Sequence, residues 1–274
     1  MKINVVQKQT QGDRNYQEDT LGQRDLGRYK LLVLADGMGG YAGGEIASNI
    51  VVDTFMRYPF FENRDHFLEE ALFLANNKIQ KYKELHPEVS NMGTTLIALL
   101  IDEKSYRWIS VGDSPLYLIQ NNKIKRINEN HSVAGMLNLQ VERGEISESE
   151  SKQNKNRHLL TSAILGEEIS MIDISSVDNF NIDDKLILAS DGIETLSEND
   201  ILNFINTSSS ALLASQKILE EIDNRKKKNQ DNASIIIVTS LVKKVEESRY
   251  IVDNKNIIIK IFLFFIFILF LLWK

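Results

Sequence analysis

LLVLADGMGGYAGGE, residues 31–45, begins as a continuous apolar run, Leu31 to Ala35, of the length and character of a buried strand. It then places one carboxylate, Asp36, where that strand is expected to stop. Glycines follow at 37, 39, 40, 43 and 44, and a helical pattern starts at Ile46. An Asp in such a place is held by a rigid element and can still face solvent. Gly37 leaves its own carbonyl open to an ion or ligand, because no Cβ crowds the approach. Taken alone, Asp36-Gly37 also fits a tight strand-to-helix turn with a solvated Asp. Three further acids placed in the same way weigh against that bland reading.

Gly112-Asp113-Ser114 stands between two β-rich runs, Tyr106–Val111 and Leu116–Ile119. The run Lys185–Ala189 leads into Ser190-Asp191-Gly192, repeating the design around Asp36. Asp231-Asn232 opens the last strong strand pattern, Ala233–Val242, and Glu18-Asp19 sits with Arg14 on a polar loop, Gly12–Thr20. Jointly these acids imply strands converging on one end of a sheet and gathering carboxylates there. Like charges so placed repel unless cations neutralise them. An oxygen-only donor set selects hard ions, Mg²⁺ or Mn²⁺. A carboxylate such as Asp36 can bridge two of them, an arrangement that ionises a water for in-line attack at phosphorus.

Around these points the chain reads as a first strand over 3–10 and two amphipathic helices, Ile46–Tyr58 and Arg64–Leu85, the second stopped by Pro87. A strand is expected over Met92–Ile101, and Asn121-Asn122 turns a hairpin into Lys123–Ile127. From His131 to about Arg157 the pattern degrades into short helical pieces and polar runs, a flap-like, mobile excursion of the kind that carries function. A strand over Ile172–Phe180 follows. Helices come next at 198–206, with Ser197 and Asp200 as its capping pair, and at Ala211–Asp223.

The net charge of −6 argues against a nucleic-acid binder that relies on a general basic field. With no cysteine, every thiol nucleophile and thiolate ligand is excluded, and four scattered histidines do not make a zinc site. The N-terminus is too polar for a secretory signal. Residues Ile257–Trp273, apolar but for Lys260, are long enough for a bilayer-spanning helix and lack the polar face of an interfacial one. Lys243, Lys244, Arg249, Lys255 and Lys260 precede the stretch's centre and only Lys274 follows. The positive-inside rule therefore puts the folded part in the cytoplasm. The expected organisation is a domain over 1–242, a charged linker over 243–256 and a transmembrane helix over 257–273.

In order, Gly12, Arg14, Glu18-Asp19, Ala35-Asp36-Gly37-Met38-Gly39-Gly40, Gly93-Thr94-Thr95, Gly112-Asp113-Ser114, Ser190-Asp191-Gly192 and Asp231-Asn232 resemble the bacterial metal-dependent Ser/Thr protein phosphatases of type 2C. The resemblance spans roughly residues 1–242 and implies an α+β, four-layer sandwich, two central antiparallel sheets flanked by helices. It implies that Asp36 bridges two Mn²⁺ or Mg²⁺ ions, that the Gly37 carbonyl binds one, and that Asp191 and Asp231 hold the other. Glu18 and Asp19 would act on bound water, Asp113 with Asp191 would hold a third, weaker ion, and Arg14 would clamp the substrate phosphate. The implied reaction is hydrolysis of phosphoserine and phosphothreonine in proteins, with a Ser/Thr kinase and its targets as partners at the membrane. Gln17, Met38, Pro115 and Asn130 depart from the family's usual Asn, His, Arg and Asp. A catalytically dead relative used as a membrane-tethered binding module is the rival reading, and so is an ion-binding domain without activity. The first rival predicts loss of a metal-binding Asp, and Asp36, Asp191 and Asp231 are all present.

Overall fold

The structure is a computed structural model and describes residues 2–40, 43–61 and 66–241. The expected linker 243–256 and membrane helix 257–273 lie outside these residues. No described helix is long and apolar enough to cross a membrane.

Strands β1 (Lys2–Thr10), β2 (Asp19–Leu26) and β3 (Tyr29–Met38) lead into helices α1 (Gly43–Arg57) and α2 (Phe67–Leu85). Strands β4 (Gly93–Thr94), β5 (Leu96–Ile101), β6 (Ser105–Val111), β7 (Leu116–Gln120) and β8 (Lys123–Arg126) follow. Then come α3 (Val133–Glu142), α4 (Glu148–Gln153), β9 (Asp173–Ile174), β10 (Asp178–Asn179) and β11 (Lys185–Ala189). Helices α5 (Glu198–Thr207) and α6 (Ala211–Asn224) precede β12 (Ala233–Leu241). One sheet runs β1-β12-β11-β7-β8. The other runs β10-β6-β5-β3-β2, with β4 on β3 and β9 on β6. Every pairing is antiparallel.

Apolar runs without alternation need both faces covered, and the packing supplies that cover. In β3, Leu31, Val33 and Ala35 turn outward onto Val51 and Phe55 of α1 and Leu68 and Leu72 of α2. Leu32 and Leu34 turn inward, with Ile97 and Leu99, against Leu186, Leu188, Ile236 and Val238 of the other sheet. That sheet's outer face, through Ile187, Ile235 and Ile237, packs on Ile201 and Ile205 of α5 and Ile218 and Ile222 of α6. The result is an α+β fold of two antiparallel sheets flanked by helices.

Several boundaries differ from the expected ones for local reasons. Asp36 does not end its strand: β3 runs on to Met38 because Gly37 and Met38 pair with Thr94 and Gly93. Asp19 is the first residue of β2, an element the sequence pattern did not suggest, and lies directly opposite Asp36. The single strand expected over Met92–Ile101 breaks at Thr95, whose hydroxyl accepts the Asp36 N–H at 3.1 Å and bonds Ser114 Oγ at 2.7 Å. Ile172–Phe180 yields only β9 and β10. Between them the Ser175 hydroxyl accepts the Trp108 N–H at 2.9 Å, replacing a ladder carbonyl. Helix α1 starts at Gly43, earlier than Ile46; of the expected second helix, Arg64 lies outside the described residues and α2 begins at Phe67. The hairpin at Asn121-Asn122 forms with φ of 51° and 59°, and Ser197 and Asp200 form the expected capping box on α5. The excursion holds α3 and α4, each opened by a serine N-cap, Ser132 and Ser147.

Candidate metal centre

Side-chain period in β3 decides where the first acid points. Asp36 follows Leu32 and Leu34 on the inner face, so its carboxylate enters the gap between the two sheets. Asp19, its cross-strand partner, shares that face, and such pairs stand about 4.5–5.5 Å apart at Cβ. Across the gap, β11 ends at Ala189 and the next turn, Asp191–Thr195, presents Asp191, while Asp231 stands two residues before β12. Asp113 comes from the turn between β6 and β7. The acids thus arrive from both sheets at one end of the sandwich.

Hydrogen bonds between distant segments fix the set. Ser190 Oγ donates to Asp19 Oδ2 at 2.7 Å and accepts the Ser234 N–H at 2.9 Å. Asn232 Oδ1 accepts the Glu18 N–H at 2.8 Å, and its amide donates to the carbonyls of Gln11 and Tyr16. Glu18 O in turn accepts the Gly37 N–H at 3.1 Å and the Ser48 hydroxyl at 2.6 Å. Gly37 is required by contact: a Cβ there would stand 2.1 Å from Gly44 O. Gly12, at φ +60°, lies so close to the Asp231 carbonyl that a Cβ would reach 2.5 Å. Arg14 forms an ion pair with Asp231. Arg126 Nη2 donates to Asp113 O at 2.8 Å and steadies that turn.

The electrostatics are those of a site built for cations. Asp36 keeps a solvent-facing edge, with protein around its other sides. Burial, then Asp19, Asp191, Asp113 and Asp231, raise its carboxyl well above the ordinary range. Asp191 is pushed to about 8 by burial and by the charges of Asp113 and Asp231. Asp19 is raised to about 6, mainly by burial, against the opposing Ser190 bond. Asp113 is also raised to about 6, by burial and Glu194. Burial raises Glu18 as well. Among the described residues no three acidic or histidine side chains are drawn in around a single point. Arg14 holds Asp231, and Ser190 holds Asp19. A set of oxygen donors this costly to ionise together suits divalent hard cations.

The acids open into a cleft of about 240 Å³ lined by Arg14, Glu18, Asp36, Gly37, Asp113, Asp191 and Asp231, together with Met38, Thr95, His158 and Leu160. A wider hollow of about 860 Å³ lies elsewhere, around Glu103, Gln120 and Phe180, and contains none of these residues. All the acids singled out in the sequence meet at the cleft, Asp19 from beneath through its pairing with Asp36. Sequence reasoning missed Ser190, Asn232 and Arg126 as braces, and His158 and Leu160 as lining. Ser190 and Asn232 stood inside quoted motifs, and Asn232 next to Asp231 was the available signal. His158 offered none, because its place depends on how the chain returns from α4.

The sequence profile of the protein phosphatase 2C family matches residues 7–224. The chain is 28% identical over 216 residues to serine/threonine phosphatase stp of Listeria monocytogenes, covering 76% of this chain and 81% of that protein. Its fold matches that of serine/threonine phosphatase Stp1 from Staphylococcus aureus with a TM-score of 0.76 at 26% identity, over 88% of this chain and 96% of that one. The catalytic domain of the serine/threonine phosphatase PstP, solved in complex with two manganese ions, matches with a TM-score of 0.72 at 24% identity, over 86% and 97% of the two chains.

Proposed function

The chain belongs to the protein phosphatase 2C family and is a protein-serine/threonine phosphatase, and from that premise we propose how its cleft performs the reaction. Asp36, the Gly37 carbonyl, Asp191 and Asp231 would hold two divalent cations, Mn²⁺ or Mg²⁺, with Glu18 acting on their bound water. Asp113 with Asp191 would hold a third, weaker one. The observation that carries this is the convergence of acids from both sheets, with Asp19, Asp36, Asp113 and Asp191 all raised by burial and most of them by neighbouring acids. The manganese complex of the PstP domain supports the choice of ion. When bound, the ions supply Lewis acidity toward the phosphoryl oxygens and lower the pKa of the attacking water.

The chain's own residues do the rest. Arg14 exchanges Asp231 for the substrate phosphate, which its planar guanidinium grips with two donors. Asp19, with one oxygen tied to Ser190, lies beneath Asp36 and would act on water held at the edge of the site. Met38 and Leu160 wall the cleft with apolar surface. With Met38 where a histidine would stand, His158 is the one imidazole lining the cleft among the described residues, and it would give a proton to the departing serine or threonine oxygen.

We further propose that residues 257–273 anchor the enzyme in a membrane with its catalytic domain in the cytoplasm, where a cognate Ser/Thr kinase and that kinase's targets are its partners. The apolar composition of the segment and the flanking lysines support this.

Two experiments test these readings. Phosphate release from a phosphothreonine peptide should require Mn²⁺ or Mg²⁺ and be abolished by a chelator; hydrolysis that persists in excess chelator contradicts the cation assignment. Full-length protein should sediment with membranes through alkaline carbonate and need detergent for release, while a chain ended after Lys244 stays in the supernatant at an unchanged aryl-phosphatase rate. Release by carbonate alone would refute the spanning tail.

A further inference from the structure

Beside the cation cleft lies a second hollow of about 520 Å³. The two share walls. Leu160 lines the cleft and Thr161 the hollow, while the turn Asp191–Thr195 gives Asp191 to the first and Glu194 to the second. A peptide whose phosphorylated residue occupies the cleft therefore has the hollow within reach of its flanking residues, since an extended chain spans about 3.3–3.6 Å per residue.

The hollow is acidic. Glu129, Glu142, Glu194 and Glu198 line it against the single guanidinium of Arg126. That guanidinium is already committed, with Nη2 on Asp113 O at 2.8 Å, Nε on Asn128 O at 3.2 Å and Nη1 at 3.7 Å from Glu194. Glu142 and Glu198 are exposed and have no hydrogen-bond or ion-pair partner among the described residues. Apolar surface lies alongside: Met136 and Leu139 on α3 are 54% and 52% exposed, and Met171 adds to the patch.

A buried polar group points the same way. His131 is 2% exposed, and its Nδ1 accepts the Gly112 N–H at 3.2 Å. The neutral ring therefore carries its proton on Nε2. Among the described residues that Nε2 and the Thr161 hydroxyl have no hydrogen-bond partner, and the nearest carboxylate oxygen, on Glu129, stands 3.8 Å from Nε2. Both residues line the hollow.

We propose that this hollow receives the stretch of phosphoprotein substrate that flanks the phosphorylated residue, and that it selects a lysine or arginine next to an apolar side chain. The proposal rests on the phosphatase reading above. A basic side chain can lay its methylenes on Met136 and Leu139 and bring its charge to Glu142 and Glu198. His131 Nε2 and the Thr161 hydroxyl are closed to solvent, so a carbonyl of the same stretch reaches them only with a shift of the hollow's wall. Charge complementarity of this sort acts on specificity and encounter rate more than on raw affinity. The glutamates make a small cation a weaker match, because nothing in an ion uses the apolar patch.

The test uses the full-length protein in detergent and two phosphothreonine peptides, identical except that one carries lysine and leucine where the other carries alanine. At low salt the lysine peptide should be cleaved with a kcat/KM about tenfold higher. The double variant Glu142→Gln, Glu198→Gln should lose that preference with p-nitrophenyl phosphate turnover unchanged, and Glu142→Lys, Glu198→Lys should reverse it toward a glutamate peptide. Equal kcat/KM for both peptides in the wild type, or a preference that survives the double variant, overturns the proposal. Failure of the phosphatase reading looks different: wild type would then turn over neither peptide nor the aryl phosphate. Fluorescence anisotropy with the same two peptides would still decide the matter, a tighter Kd for the lysine peptide supporting the hollow's role and equal Kd values refuting it.

Discussion

The two sheets supply acids to the same cleft in different ways. On one side Asp19 and Asp36 are members of a ladder, opposite one another in β2 and β3, with the Asp36 backbone bonded to Thr95 in both directions. On the other, Asp191 and Asp231 sit in the turns that flank β11 and β12, and Asp231 is exposed enough to pair with Arg14. A ladder residue cannot shift without breaking its neighbours' bonds, whereas a turn residue adjusts by rotating side chain and local backbone. One half of the site is therefore set by strand pairing and the other by turns that Ser190 and Asn232 brace.

The largest effect should come from the fixed half. Asp36→Asn weakens the group proposed to contact both ions, so kcat with saturating Mn²⁺ should fall by at least about a thousandfold, roughly 4 kcal/mol of barrier. A variant that keeps a tenth of wild-type turnover would show that Asp36 is not the shared ligand. Asp231→Asn should cost less, about a hundredfold at limiting Mn²⁺, and raised Mn²⁺ should recover much of it, because one ion keeps its place on Asp36. Equal and equally unrescued losses would erase the distinction between ladder and turn. His158→Ala should be smaller still, about tenfold on a phosphothreonine peptide and near zero on p-nitrophenyl phosphate, whose leaving group needs no proton. A loss of equal size on both substrates would make His158 structural.

Stability should report the same crowding. Asp19, Asp113 and Asp191 have folded-state values raised to about 6, 6 and 8 from an ordinary 3.8. Between those limits the folded state binds more protons than the unfolded one, so stability falls as pH rises from about 4 to 8. The chelator-treated protein should melt at a lower temperature at pH 8 than at pH 5.5, and Mn²⁺ should remove most of the difference. A melting temperature that rises over that interval would contradict the burial of these acids.

Much of the cleft was legible because its acids follow apolar runs that could only be buried strands, as at Leu31–Ala35 and Lys185–Ala189. The order of the motifs then linked segments that no local pattern connects. Strand β2 escaped notice because DTLGQRDL alternates weakly and sits at a sheet edge with much of its surface open. Thr95 and Ser175 broke expected strands because each hydroxyl stands in for a backbone group, a substitution invisible to periodicity. The braces from Ser190 to Asp19 and from Asn232 to Glu18 join residues 171 and 214 positions apart, and only the closed sandwich brings them together.

Calorimetric titration of Mn²⁺ into the full-length protein at pH 7, repeated in buffers of different ionisation enthalpy, tests most directly whether acids from both sheets form one cation site. Burial and the charges of Asp113 and Asp231 raise the Asp191 carboxyl, which favours its protonated form before the ion arrives, and binding displaces that proton. The predicted result is proton release at pH 7 that shrinks as the pH is raised past 9 and is reduced in Asp191→Asn, Asp36 supplying the remainder. Mn²⁺ binding with no proton release at pH 7, or release unchanged in Asp191→Asn, would contradict it.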